Sequence, residues 1–370
     1  MAEQIFAVVA GGGTAGHVLP ALAVADSLRR SGHRRESIHY VGAERGIESK
    51  LLPETGYDFT LFDVTGLPMR PSPGAVASLI RIVRARRRAI GLLRRLRPRV
   101  VVSVGGYASV PAVLAAKRLK IPVVVVSYDA IPGRASRISA RWAKVAAVAF
   151  ADSPLPNAVL TGAPVRAEIL DVDRAGQRGP ARRELEIPDD RFVVVVIGGS
   201  QGSGAINAAV WALADRSADD ATLAIYHVCG DRFVDQIPSA WRSGPSESGL
   251  WYRAVGYESR LARLYEACDL LVGRGGASTV HEVAVTATPA ILIPWADAAD
   301  DHQRANVASL SDRGAAVLLE ESDLDSLAER IGDLRAQPSS LAALSDSAFE
   351  CGELHRGGAL ADLIDSVALA

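Results

Sequence analysis

The chain has 370 residues, more than one hydrophobic core usually serves, so two domains are expected. Its 49% hydrophobic and 22% charged content is that of an ordinary globular protein, and a formal net charge of -1 gives no global signal for nucleic acid, which is not expected as a partner. Cys229, Cys268 and Cys351 are odd in number, far apart and without C-x-x-C spacing, which argues against a disulfide framework or a zinc site and fits a reducing cytoplasm. "MAEQ" runs straight into a strand, so neither a secretory signal nor a membrane span is expected.

Short β-prone runs recur along the chain, each followed by glycines and a segment of helical period, the pattern of parallel βα units. In the first half they are "IFAVVA", "SIHYVG", "FTLFDV", "VVVSVGG" and "PVVVVSYD"; in the second, "FVVVVIGGS", "LAIYHVCG", "LLVGRGG" and "PAILIPW". Their near-continuous Val and Ile content predicts strands covered by helices on both faces. Between the halves, "LDVDRAGQRGPARRELEIPDDR" loses apolar periodicity, and a hinge is expected just before it, near Ala163 and Pro164. The fold class is therefore α/β: two Rossmann-like domains with parallel sheets facing a cleft, over 1–163 and 164–349.

Four glycine-rich strand-to-helix turns stand out: "GGGTAGH" after the first strand, "GGYASVP" from Gly105, "GGSQGSG" from Gly198 and "RGGASTVHE" from Arg274. Such turns favour anions, because a helix N-terminus offers unpaired N–H groups and the positive end of its dipole. Gly11, Gly13 and Gly16 fit the dinucleotide spacing G-x-G-x-x-G, but the acidic residue required after the second strand arrives late, at Glu44. His17 at the mouth of the helix is also foreign to a dinucleotide loop.

"GGGTAGHVLPALAVADSL", "GGYASVPAVLAA", "IPG", "TGAPVR", "GGSQGSGAIN", "GGASTVHEVAVTATPAILIPW" and "DHQRAN" follow one another in the order and spacing of the MurG family. That family comprises peptidoglycan N-acetylglucosaminyltransferases of the GT-B class, and the resemblance runs from about Val8 to Ala316. It implies UDP-N-acetylglucosamine as donor and an undecaprenyl-pyrophosphate-linked muramyl pentapeptide as acceptor. It further implies an N-terminal domain that binds acceptor and membrane, a C-terminal domain that binds the UDP-sugar, and a last helix, about 350–370, that packs back on the N-terminal domain.

Two chemical needs follow: the attacking 4-hydroxyl must lose a proton, and departing UDP must be stabilised as an anion. His17 is the chosen general base, since a neutral imidazole titrates near working pH. The competing role for His17 is a ligand to the acceptor pyrophosphate, and Asp129 is the alternative base. The acceptor is assigned to Gly13, Thr14, Gly16, Gly105, Gly106 and Tyr107. For the donor, "GGSQGSG" offers its backbone and Ser200 to the diphosphate, with Gln201 and Gly202 beside it, and Ala277 and Thr279 lie close to the phosphate. By resemblance Glu282 binds the ribose hydroxyls, Arg166 lies on the uridine side, and His302 and Gln303 recognise the sugar, with Asn306 following. The bland alternatives are a dipole-stabilised carboxylate for Glu282 and a salt bridge for Arg166.

One segment departs from the family pattern. Where that commonly reads His-Glu-Gln-Asn, this chain has Val126, Ser127, Tyr128 and Asp129. Two D-x-D pairs, Asp171/Asp173 and Asp323/Asp325, read as solvated acids or helix caps, and neither a metal ion nor an organic cofactor is expected.

"LIRIVRARRRAIGLLRRLRPR", from Leu79 to Arg99, mixes Leu79, Ile80, Ile82, Val83, Ile90, Leu92 and Leu93 with nine arginines. A basic amphipathic helix of this kind suits an anionic inner-membrane surface, so peripheral attachment to the cytoplasmic leaflet is expected, with "TGLPMRPSPG" contributing. Some of the apolar residues must face the sheet as core, and no interleaved aromatics provide stacking platforms for nucleic acid. The rival readings are another UDP-sugar transferase with a different lipid or natural-product acceptor, a UDP-N-acetylglucosamine epimerase, and a non-catalytic lipid-pyrophosphate binder.

Overall fold

A computed structural model describes residues 4–66, 73–199, 201–242, 244 and 249–369. The chain forms two compact units, one of residues 1–167 and 354–370, the other of residues 168–353.

The first unit runs β1 (Ala7–Ala10), α1 (Ala15–Arg30), β2 (Ile38–Ala43), α2 (Glu48–Thr55), β3 (Asp58–Phe62), α3 (Pro73–Leu96), β4 (Val100–Ser103), α4 (Val110–Leu119), β5 (Val123–Ser127), α5 (Arg134–Ala140), β6 (Val145–Val148) and β7 (Ala158–Leu160). Its sheet has the order β3-β2-β1-β4-β5-β6-β7, and its ladders are parallel. The valines of β1, β4 and β5 are buried on both faces, as continuous Val runs require. The last two strands, "VAAV" and "AVL", are too short and Ala-rich to stand out as β runs in the sequence.

The second unit follows a short α6 (Ala167–Leu170) with α7 (Arg174–Glu184), β8 (Phe192–Ile197), α8 (Gly204–Arg216), β9 (Leu223–Val228), α9 (Ser239–Arg242), β10 (Trp251–Val255), α10 (Leu261–Ala267), β11 (Leu270–Arg274), α11 (Ala277–Thr286), β12 (Ala290–Ile293), α12 (His302–Ser311), β13 (Val317–Leu318), α13 (Leu327–Ala336) and α14 (Pro338–Arg356). The parallel sheet has the order β10-β9-β8-β11-β12-β13. After α14 the chain closes with α15 (Ala359–Leu369), which packs on α1 and β4 of the first unit. His33 Nε2 and Asp365 Oδ1 lie 2.7 Å apart there.

Within the charged stretch where apolar periodicity lapses, Arg174 to Glu184 form the helix α7. Asp173 caps it, accepting from the Gly176 amide at 2.9 Å. Arg182 is 1% exposed and points inward, donating to Asp269 Oδ2 and to the carbonyls of Ala267, Asp189 and Arg191. A buried guanidinium is tolerated when its donors are used in this way. A pattern count registers such an arginine only as surface charge.

Helix α3 divides the residues of the basic segment. Ile82, Leu92 and Leu93 are core, whereas Leu79, Ile80 and Val83 are exposed beside exposed Arg84, Arg87 and Arg88. Most of "TGLPMRPSPG", residues 67–72, lies outside the described residues. No helix among the described residues is long and apolar enough to cross a membrane.

Candidate active site

In each unit the strand order reverses once, between β1 and β4 and between β8 and β11. At such switch points the loops leaving the two strands diverge and open a crevice at their carboxyl ends, where ligands bind in doubly wound sheets. All four glycine turns leave these four strands.

In the first unit, the turns after β1 and β4 interlock. A Cβ on Gly106, whose φ is +71°, would lie 2.0 Å from the Gly12 carbonyl oxygen, so only glycine permits the approach. The ring of Tyr107 covers Gly13. Gly105 packs against the imidazole of His17, which is the third residue of α1. Thr14 precedes α1, but its hydroxyl is 3.0 Å from His17 Nδ1 and makes no capping bond to the helix. The first amides of α1, at Ala15 and Gly16, are therefore left without a side-chain cap, as an anion site requires.

Gly13 is placed differently from the expectation of a free donor. Its N–H donates at 2.7 Å to Oε1 of the buried Glu48, which also accepts from the Ala43 amide at 3.1 Å. A protein carboxylate thus occupies the start of the turn. Glu48 escaped the sequence reading because "GIESK" carries no motif.

The segment Val126 to Asp129 ends β5 and lines a cavity of about 320 Å³, together with His17 and Tyr107. Burial pulls the His17 pKa below the usual histidine value, while the negative charges of Asp129 and Glu48 push it back up. The imidazole is consequently neutral at neutral pH, with a carboxylate beside it. Tyr128 is buried, and its hydroxyl donates to the carbonyl of Gly16.

In the second unit, Gln201 is exposed and Gly202 has φ +68° and rests on the Cys229 carbonyl. Ser200 lies outside the described residues. Ala277 and Thr279 are the first and third residues of α11, whose N-cap is Gly276. Glu282 is the sixth, beyond the turn where a helix dipole acts strongly. It is 9% exposed, and Oε2 accepts from the Tyr265 hydroxyl at 2.9 Å. His302 and Gln303 open α12; His302 Nδ1 donates to the Ala299 carbonyl at 2.7 Å, and Gln303 Oε1 accepts from the Trp295 amide at 3.0 Å. Asn306 reaches across to the Gly275 carbonyl at 3.4 Å, tying α12 to the turn before α11.

Arg274, the last residue of β11, joins these turns. Its guanidinium donates to Ser203 Oγ at 2.6 Å, Glu321 Oε1 at 2.7 Å and the Pro294 carbonyl at 3.3 Å. The sequence placed Arg274 at the edge of a glycine motif without assigning it a role. Arg166 is half-buried in the segment just before α6. Asp323 and Asp325 lie in a short 3₁₀ turn before α13, and no group of three His, Cys, Asp or Glu among the described residues is placed to hold a metal ion.

Residues 7–148 match the model of the glycosyltransferase family 28 N-terminal domain, and residues 193–355 that of the family 28 C-terminal domain. The UDP-N-acetylglucosamine--N-acetylmuramyl-(pentapeptide) pyrophosphoryl-undecaprenol N-acetylglucosamine transferase of Desulforudis audaxviator is 34% identical, over 98% of each chain. The crystal structure of Acinetobacter baumannii MurG superposes with a TM-score of 0.71 at 27% identity, covering 100% of both chains. The UDP-GlcNAc 2-epimerase of Neisseria meningitidis gives a TM-score of 0.65 at 14% identity, over 99% of this chain and 100% of that one, which is a likeness of fold alone. This chain, with both family 28 domains and the GT-B fold, belongs to the MurG family of glycosyltransferases.

Proposed function

We propose that the protein transfers N-acetylglucosamine from UDP-N-acetylglucosamine to the 4-hydroxyl of the N-acetylmuramyl sugar of an undecaprenyl-pyrophosphate-linked pentapeptide, making the disaccharide lipid precursor of peptidoglycan. Residues 1–163 take the acceptor and residues 164–349 the donor. The acceptor oxygen attacks the anomeric carbon from the face opposite UDP, so configuration inverts. The bond from that carbon to the β-phosphate oxygen breaks, and its electron pair leaves with UDP.

The observation that carries this reading is the setting of His17. Thr14 Oγ1 stands 3.0 Å from Nδ1, and a ring protonated on Nδ1 leaves Nε2 as the nitrogen that takes the acceptor's proton. Burial keeps the ring neutral and able to do so. Asp129 stabilises the imidazolium that forms, and is the alternative base. The α1 amides and the turn of Gly105, Gly106 and Tyr107 receive the acceptor pyrophosphate, beside Thr14 and Gly16. On the donor side, the turns containing Ser200, Gln201, Gly202, Ala277 and Thr279 stabilise the departing diphosphate as preorganised donors, which supplies charge stabilisation without a metal ion. Glu282 holds the ribose, Arg166 the uridine side, and His302 and Gln303 the sugar hydroxyls.

Attachment is peripheral, on the cytoplasmic leaflet, through the exposed Leu79, Ile80 and Val83 and the arginines that follow them on α3. A second acceptor class, another lipid or natural product, is favoured by one feature: Val126 and Tyr128, which line the cavity, replace polar residues of the family pattern.

The test is UDP release from UDP-N-acetylglucosamine, with and without a short-chain acceptor analogue and without divalent metal. Acceptor-dependent release with a disaccharide product supports the transferase. Acceptor-free isomerisation of the sugar would move the assignment to an epimerase, and intact donor bound beside the acceptor would make the protein a binder.

A further inference from the structure

The donor turn before α8 rests on a hydrogen-bond chain buried beneath it. Asn207, the fourth residue of α8, and His227, on β9, are both 0% exposed. Asn207 Nδ2 donates to the Cys229 carbonyl at 3.0 Å, and Asn207 Oδ1 lies 2.9 Å from His227 Nε2. A flipped amide would set its oxygen against the Cys229 oxygen, so the orientation is fixed and His227 must donate from Nε2. A neutral ring then accepts at Nδ1, where the Tyr252 hydroxyl stands at 2.8 Å. Burial holds the His227 pKa down to about 3, consistent with that neutral form. Donation therefore runs one way, from Tyr252 through His227 and Asn207 to the Cys229 carbonyl.

That carbonyl is the atom on which Gly202 sits. A Cβ on Gly202 would come within 2.0 Å of it, and Gly230 on the same strand exit also packs against the Gly202 Cα. Moving the Cys229 carbonyl moves the floor of the turn.

We infer that His227 is a positioning residue of the donor site, which holds Asn207 and the Cys229 carbonyl so that the turn at Gly202 keeps the shape that receives a nucleotide diphosphate. The inference rests on the proposed donor role of that turn. It also distinguishes the two ring nitrogens: the contact through Nε2 governs the turn, and the contact through Nδ1 serves only to orient the ring. Glutamine at this position keeps a donor near Nε2, whereas asparagine reaches only as far as Nδ1.

The experiment titrates UDP into the full-length wild type and the variants His227→Gln, His227→Asn, His227→Ala, Asn207→Ala and the His227→Ala/Asn207→Ala pair, with melting curves to verify folding. UDP affinity should fall at least about tenfold in His227→Ala and in His227→Asn, and stay within about threefold of wild type in His227→Gln. The double variant should lose no more than Asn207→Ala alone, because residues acting in one chain are not additive. Unchanged UDP binding in folded His227→Ala, equal recovery by asparagine and glutamine, or additive losses would each overturn the inference. Should the substitutions prevent folding, imidazole ¹⁵N signals of the wild type decide the matter: a ring protonated on Nε2 is required, and one protonated on Nδ1 overturns it. Failure of the wild type itself to bind UDP would instead overturn the donor reading.

Discussion

The Tyr128 hydroxyl donates to the Gly16 carbonyl, the acceptor to which Pro20 brings no N–H from four residues along α1. An interior proline removes one helical hydrogen bond, and here a side chain from the end of β5 supplies it. The same bond fixes the first turn of α1, where His17 sits. The glutamine of the family pattern also carries a hydrogen-bond donor, so glutamine is the substitution that tests whether a donor alone suffices here. Tyr128→Phe should cost about 1–3 kcal/mol, the range for a buried acceptor left unsatisfied. It should also reduce kcat, and Tyr128→Gln should restore part of both. Calorimetric melting with steady-state rates checks this; a phenylalanine variant as stable and active as wild type would remove Tyr128 from the argument.

His17→Ala should lower kcat by about 10² to 10⁴ while leaving UDP affinity unchanged, the pattern for loss of a general base. The lowered pKa places the acid limb of kcat/KM below the ordinary histidine value, because burial outweighs the two nearby negative charges. Asp129→Asn removes one of those charges and should shift the limb to still lower pH. A limb that stays in place in Asp129→Asn would show that His17 is not the group being titrated. Loss of UDP binding in His17→Ala, with turnover preserved, would remove His17 from the role of base.

The parallel architecture was legible because Val-rich strands and glycine turns are local signals, written within ten residues of one another. So were the positions of His17, Asp129, Ala277 and Gln303, each at a strand end or helix start. Glu48, Arg274, Asn207 and His227 were not, because their roles come from contacts between elements distant in sequence and no local pattern announces them. Arg182 was equally illegible: it lies in a charged stretch without apolar periodicity, and four partners around one guanidinium place it in the core. The short edge strand β13, "VL", carries too few residues for any period to register.

The ribose role proposed for Glu282 predicts a donor-specific loss. Glu282→Ala should raise KM for UDP-N-acetylglucosamine about ten- to a hundredfold, the scale of one charge-assisted hydrogen bond at about 1.5–3 kcal/mol. KM for the acceptor should remain unchanged. Glu282→Gln retains one acceptor oxygen and a partner for the Tyr265 hydroxyl, so its loss should be smaller. Equal changes in both KM values would mean that Glu282 serves the fold and not the ribose.

The proposed membrane attachment through α3 would rest on two separable surfaces. Leu79, Ile80 and Val83 are 55%, 47% and 44% exposed. Replacing all three with serine should weaken binding to vesicles of anionic lipid at any ionic strength, since the loss is apolar. Replacing Arg84, Arg87 and Arg88 with glutamate should remove binding most strongly at low salt, because each arginine near the headgroups contributes about 1 kcal/mol that ions screen. Sedimentation with vesicles at two salt concentrations separates the contributions, and unchanged binding in both variants would place the contact elsewhere.

Stability should decline on the acid side well before the carboxylates titrate. Burial lowers His39, which shares a hydrogen bond of 2.9 Å with Thr60, to about 4, and His227 to about 3. Both folded values lie below the ordinary unfolded one, about 6.5, so the native state prefers the neutral rings. Their contribution is complete above about pH 6.5 and is lost as pH falls from there toward the folded values. Each ring withholds one proton that the unfolded chain binds, a slope of about 1.4 kcal/mol per pH unit, or about 2 kcal/mol each by pH 5. Asp220, held down to about 2 chiefly by Arg335, acts only later. So does Glu258, which burial raises but hydrogen bonds from Arg260 and Tyr226 hold at about 2; both begin to yield as pH falls through the carboxylate range. The melting temperature should therefore fall between pH 7 and pH 5, and His39→Gln, which keeps a partner for Thr60 but cannot take up the proton, should flatten that fall. A wild type that melts at the same temperature at both pH values would mean the two rings are not held neutral in the native state.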